Sequence, residues 1–224
     1  MGEKNEKYEY VIGNTVVKTT TEEKDLGVNI DDNLKFHSHT SIVVIKANQI
    51  LGLIAKTFET LDEDSLTRLY KALVRPHLEY GNLIWGPRYV MDQRAVERVQ
   101  RRATRLIPSL KGLPYEERLR RLNLPSLAYR RRRGDMIQCF KLLKGIDRID
   151  PEKLLQRATT ESTRGHHLKL FKKRAKSEMR RATFGFRVVD DWNGLPSHVV
   201  NAETVNEFKG RLDKAWRSDQ FRSV

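Results

Sequence analysis

The stretch KDLGVNIDDNLKFHSH, residues 24–39, gathers the residue types of a metal centre. Asp31 and Asp32 are adjacent, Asp25 lies upstream, and His37 and His39 follow. Carboxylates converging on two ions about 3.5–4 Å apart would serve in-line displacement at phosphorus. The spacing also admits a plainer role. Neighbours on an extended strand point to opposite faces, so Asp31 and Asp32 converge only if a turn reorients them. With Asn33 behind them they read as a polar turn in which Asp or Asn caps the next helix. His37/His39 and His166/His167 lack the spacing and partner ligands of a metal motif and read as surface pairs. Nucleophile constellations, glycine-rich phosphate loops and dinucleotide fingerprints are missing. No catalytic and no metal-ligating residue is therefore expected in this chain.

A second kind of chemistry is carried by charge. The 224 residues sum to +14, unevenly placed: residues 1–93 carry −3, residues 94–133 carry +10 and residues 134–224 carry +7. A basic block on a balanced chain is the footprint of a polyanion, nucleic acid being the commonest. A generic basic protein is the alternative. On a helix at 100° per residue, Arg94, Arg98, Arg101, Arg102 and Arg105 lie opposite Val96, Val99, Ala103, Leu106 and Ile107. Like charges four apart cost about 0.2–0.5 kcal/mol per pair. That is small enough for either a phosphate-binding or a solvated face. Arg130, Arg131, Arg132 and Arg133 sweep about 300° and cannot share one face. Either that turn projects beyond the core, or a polyanion wraps around it, or the long stems lie on apolar surface with their heads in water. A third patch runs from Arg164 to Arg187 and includes Lys172, Lys173, Arg174, Arg180 and Arg181. Tyr80, Trp85 and Tyr89 could stack on unpaired bases, although Trp85, Trp192 and Trp216 sit within apolar patterns typical of core.

The elements that must position these groups follow from periodicity. YEYVI, a Gly13-Asn14 turn, TVVKT and the alternating Leu26, Val28, Ile30 of LGVNI predict a small antiparallel β element. From about His39, Ile42, Ile45, Ile50, Leu53 and Ile54 predict a helix to Phe58. A second helix is capped by Asp62 and ended or kinked at Pro76. Asp92 is placed to cap a third, which stops at Pro108. Pro114 and Pro125-Ser126 open two more, the latter closed by Gly145. Residues 157–182 read as loop with some strand, followed by a helix ending at Asn193-Gly194. A last helix from Thr204 has Glu207 as capping-box partner and buries Val205, Phe208, Leu212 and Trp216. The fold class is mainly α with a small N-terminal antiparallel β element (α+β), divided as 1–36, 37–110 and 111–224. No run is apolar enough to span a bilayer, no signal peptide is evident, and position 6 is Glu6 where myristoylation needs Ser or Thr. The single cysteine, Cys139, excludes an internal disulfide framework and suits an intracellular, reducing setting.

Five blocks, in one order across residues 7–217, carry a resemblance. They are KDLGVNIDDNLKFHSHTSIVVIKANQILGLI, LYKALVRPHLEYGNLIWGP, VERVQRRATRLI, YEERLRRLNLPSLAYRRRRGDMIQCFKLLKG and FRVVDDWNGLPSHVVNAETVNEFKGRLD. Together they resemble the C-terminal part of reverse transcriptases of jockey-like non-LTR (LINE-type) retrotransposons. The resemblance implies that Leu26-Gly27-Val28 is the strand at the end of the palm, near the primer grip. It also implies that residues 37–110 are thumb-like and that the arginine-rich helices follow the thumb. The family's catalytic carboxylates lie in an earlier palm motif, Tyr-X-Asp-Asp, which is not found here; Asp31-Asp32 sit downstream of its place. The resemblance thus implies a fragment of an RNA-directed DNA polymerase, inactive alone, that retains a template–primer grip. RNA and DNA and the missing palm and fingers would be its partners, Mg2+ would belong to the full-length enzyme, and the location would be nuclear. An amphipathic-helix scaffold that binds protein rather than nucleic acid is the alternative.

Overall fold

A computed structural model describes residues 8–158 and 165–222. Two short hairpins lead into a helical body, giving a mainly α fold with a small antiparallel β element. Strand β1 (Val11–Ile12) pairs with β2 (Thr15–Val16), and β3 (Glu22–Asp25) pairs with β4 (Val28–Asp31), with Asp25 opposite Val28. Between β3 and β4, Leu26 and Gly27 have φ of 44° and 84°. Two successive positive φ values make the tight turn whose twist suits a hairpin. The strand therefore starts at Val28, which is buried, while Leu26 projects into solvent. Leu26 and Gly27 form the hairpin tip, a correction to their placement on a strand.

Helix α1 (His37–Thr57) buries His39, Thr40, Ala47, Leu51 and Ile54. Ile42, Ile45 and Leu53, expected inside, lie on its outer side. The helix is apolar on more than one face, so period alone does not select the buried stripe; packing against the neighbouring helices does. Asp62 caps α2 (Glu63–Leu69), its carboxylate accepting from the Ser65 backbone N–H at 2.7 Å. A π-helical turn, Tyr70–Val74, carries the chain into α3 (Arg75–Glu79). Pro76 accounts for it: proline has no N–H and its ring crowds the carbonyl four residues back, and a widened turn relieves both. Gly81 then takes φ +68°, where a Cβ would come within 3.1 Å of Val28, and α4 (Asn82–Trp85) follows.

Helix α5 (Val90–Thr104) begins two residues before Asp92, with Tyr89 at the cap position. Asp92 is therefore inside the first turn, buried, with an oxygen 2.6 Å from His37 Nδ1. A 3-10 turn at Pro108–Leu110 leads to α6 (Tyr115–Arg121). The Ser126 hydroxyl caps α7 (Leu127–Leu143), and Gly145 at φ +66° closes it. After the 3-10 turn Pro151–Lys153, Arg157 bridges to Leu170. Then come α8 (Glu178–Ala182), α9 (Phe184–Asn193), α10 (Ser197–Val200) and α11 (Val205–Ala215). The capping box of α11 forms with a one-residue shift: Thr204 Oγ1 accepts from Glu207 N, while the Glu207 carboxylate accepts from Glu203 N at 2.8 Å.

Two apolar clusters hold the body together. One joins α1 to the start of α7, from Ala47 to Leu127; the other runs from Met136 to Leu212. They meet along α7, so α6 packs with the first cluster through Tyr115 and Leu119. Trp85 and Trp192 are fully buried, and Trp216 packs at the edge of the second cluster. Cys139 lies in that cluster, where burial pushes its thiol well up and leaves it an inert core side chain.

Candidate nucleic-acid interface

Arg94, Arg98, Arg102 and Arg105 are exposed on one outer face of α5, opposite the buried Val96, Val99 and Ala103. Among the described residues no carboxylate pairs with any of the four. Arg102 is steadied by α1, its Nη1 donating to Asn48 Oδ1 at 3.2 Å. Arg101, expected in the same stripe, instead turns toward α6 and lies over the Tyr115 ring at 4.6 Å. At 1.5 Å per residue the face from Arg94 to Arg105 is about 16 Å long. Successive phosphates of one strand advance about 3.4 Å along a duplex. Four guanidiniums thus span roughly the reach of five phosphates.

The helix is held in place from inside. Glu97, its one acid besides Asp92, is buried and accepts from Tyr115 Oη at 2.5 Å and from Leu127 N at 3.1 Å. Gln100 extends the network, accepting from Tyr70 Oη at 2.8 Å and donating to Tyr115 Oη and to the Pro125 carbonyl. Burial, then the Glu97 charge, push the Tyr115 phenol far above its ordinary range. Arg118, also buried, donates to the Arg101 carbonyl and Thr104 Oγ1, tying α6 to the last turn of α5.

In the four-arginine run three guanidiniums meet carboxylates of other elements, those of Arg130 and Arg133 half-buried and that of Arg132 exposed. Arg130 makes a two-pronged pair with Glu79, its Nη2 at 2.8 Å from Oε2. Arg132 pairs with Asp191 at 3.0 and 2.8 Å and lies over Trp216; Arg133 pairs with Asp213 at 2.6 and 2.9 Å. Those hydrogen bonds raise all three guanidinium pKa values. A sweep of 300° lets α7 dock α3, α9 and α11 at once, a use that sequence spacing did not reveal because the acids come from distant elements.

In the third patch Lys172, Lys173 and Arg174 are exposed in the segment before α8, and Lys172 meets Asp190 at 2.5 Å. Arg164 falls outside the described residues. Tyr80 is tied to the hairpin tip, its Oη donating to the Leu26 carbonyl at 2.9 Å while its ring covers Gly27. The histidine pairs are split rather than both at the surface. His39 is buried edge-on to Trp85 and accepts from Asn29 N at its Nδ1; His166 is buried beside Trp192, its Nε2 3.0 Å from the Trp192 carbonyl. Burial depresses both imidazoles. Of the other two, His167 is exposed, while His37 packs on the Tyr89 ring with its Nδ1 against Asp92.

Asp31 settles as a turn carboxylate, although no Asp or Asn caps α1: its cap position is Phe36, in the left-handed region and without a side-chain bond. Asp31 accepts from the backbone N–H groups of Asn33, Lys35 and Phe36 at 3.1, 3.0 and 2.6 Å, and Asp32 takes the Asn33 side chain. The Mg2+ that the resemblance implies for a whole polymerase does not fit here: these oxygens are aimed at the turn, and among the described residues no group of three His, Cys, Asp or Glu could hold a metal. Partial burial pushes the Asp31 carboxyl up, but the Lys35, Phe36 and Asn33 amides outweigh it and leave its pKa lowered. A depressed pKa contributes stability above the unfolded value that is lost as pH falls through the folded one. Asp31→Asn should therefore cost about 1–2 kcal/mol at neutral pH. In urea unfolding the gap should close as acid titrates the wild-type carboxyl; a gap independent of pH would contradict this account.

Comparison of the chain with protein-family models, curated proteins and solved structures finds no match. Among the described residues no helix is long and apolar enough to cross a membrane.

Proposed function

We propose that this chain is the thumb-like, template–primer-holding part of an RNA-directed DNA polymerase of the jockey-like non-LTR retrotransposon type, without catalytic residues of its own. The observation that carries the nucleic-acid part is the outer face of α5, where four exposed arginines pair with no carboxylate among the described residues. Elsewhere in the chain arginines of comparable density are matched to acids, as on α7. The polymerase part rests on the five ordered sequence blocks. Binding of an RNA/DNA hybrid, followed by fluorescence anisotropy across a salt series, should weaken linearly in log–log form as counterions are released. No binding even at low salt would end this reading.

A protein-interaction scaffold is the second reading, and one observation favours it. Ile42, Ile45 and Leu53 lie exposed along α1 at 44%, 57% and 64%, and Ile12 of the first hairpin is 75% exposed. Apolar association survives salt whereas phosphate contact does not. Self-association in sedimentation that persists at high salt, in a chain that ignores the hybrid, would replace the first reading with this one.

A further inference from the structure

A separate cationic pocket lies between the α4–α5 link, α7 and α9, away from the outer face of α5. Its volume is about 360 Å³, and Arg88, Arg131, Arg132 and Arg187 line it together with Asn82 and Asp135. The bonding around it is uneven. Arg187 is fully engaged: it holds both Asp135 oxygens at 2.8 Å and donates to the Ala182, Leu83 and Asn82 carbonyls. Arg132 is on Asp191. Arg131 makes no hydrogen bond within the described residues, although its Nη1 is sealed from water, and the buried Nε of Arg88 and Oδ1 of Asn82 also lack partners. Among the described residues Arg88 donates through Nη2 alone, to Tyr89 Oη at 2.6 Å.

Buried polar atoms left unpaired, here the Arg131 and Arg88 donors and the Asn82 acceptor, are costly, and a largely buried cation without a partner more so. Burial pushes the Arg131 guanidinium down, against the pull of Glu97, Glu79 and Asp135. None of those carboxylates is available to it. Glu97 takes Tyr115 and Leu127, Glu79 takes Arg130, and Asp135 takes Arg187. The pocket therefore has donors in place, an excess of positive charge, and room that no protein acid fills. A planar guanidinium matches the oxygens of a phosphate in a two-pronged fashion.

We infer that this pocket binds a phosphate group, with Arg131 and Arg88 as its principal donors. The inference stands on the pocket alone and does not need the polymerase reading. The phosphate belongs either to a small molecule or to the backbone of a bound nucleic acid, and the test separates the two. Inorganic phosphate is titrated into the full chain at constant ionic strength against chloride. The melting temperature should rise by about 3–6 °C at ten times Kd. Arg131→Met keeps the aliphatic stem and removes the charge, and Arg88→Gln keeps a shorter polar side chain; each should abolish most of that rise. Arg68→Gln, on the exposed ion pair of α2, should preserve it. Arg131→Met should also melt no lower than wild type in phosphate-free buffer, so loss of folding would not mask the result. In a second arm, inorganic phosphate displaces an RNA/DNA hybrid if the backbone is the source, and leaves hybrid binding intact if the source is a small molecule. No rise in wild type, or an equal rise in Arg131→Met and Arg88→Gln, overturns the proposal.

Discussion

Glu97→Ala should lower stability by about 3–5 kcal/mol, the largest loss expected from any single substitution outside the apolar clusters. The carboxylate is buried and receives two donors from separate elements: Tyr115 Oη from α6 and Leu127 N from the start of α7. Removal orphans both. A buried unsatisfied group costs about 1–3 kcal/mol, and the vacated volume adds to it. Against a total of roughly 5–15 kcal/mol for a domain, that loss brings the protein near its threshold. Glu97→Gln is the informative partner variant. It preserves shape and one acceptor oxygen but turns an N–H2 toward a donor, so it should recover part of the loss. Tyr115→Phe removes its bond to Glu97 and the weaker one from Gln100 Nε2 but leaves Leu127 N on the carboxylate, and about 1–3 kcal/mol is expected. Urea unfolding of the three variants checks the order; a Glu97→Ala loss under about 1 kcal/mol would show that the network does not clamp the helices.

That network also marks the limit of what the sequence disclosed. Glu97 stood out as a lone acid among arginines, yet nothing in its spacing named Tyr115, Gln100 or Leu127, which reach it from separate elements. Caps were legible because their partners are local: Asp62 with Ser65, Ser126 with Tyr129, and Thr204 with Glu207. Asp92 failed as a cap because His37, 55 positions earlier, holds it inside the fold. The same distinction explains α1, whose apolar residues are visible in the sequence while the choice between Ala47-Leu51-Ile54 and Ile42-Ile45-Leu53 belongs to tertiary packing. Of the candidate interface, angle alone brought out the exposure of Arg94, Arg98, Arg102 and Arg105 but not the turn of Arg101 over the Tyr115 ring. The roles of Arg130, Arg132 and Arg133 were not legible, since their acids lie 51 to 80 positions away.

The two arginine sets consequently should respond in opposite ways. Replacing Arg94, Arg98, Arg102 and Arg105 together by Gln should reduce the slope of log Kobs against log salt by about 3–4 for an RNA/DNA hybrid. At physiological ionic strength that corresponds to roughly a thousandfold weaker binding. Stability should hold or improve slightly, because the substitutions remove the like-charge pairs 94/98 and 98/102 and break no ion pair. Replacing Arg130, Arg132 and Arg133 by Gln takes the nearest guanidinium from each of Glu79, Asp191 and Asp213, all three only partly exposed. Stability should then drop by several kcal/mol, since hydrogen bonds to charged groups are worth about 1.5–3 kcal/mol each. The salt slope of whatever still folds should change by less than about one. The reverse pattern, a flattened slope from the α7 set with none from the α5 set, would move the nucleic-acid contact to α7. It would also require the three pairs to open on binding, so that a phosphate backbone takes the place of the protein's own acids.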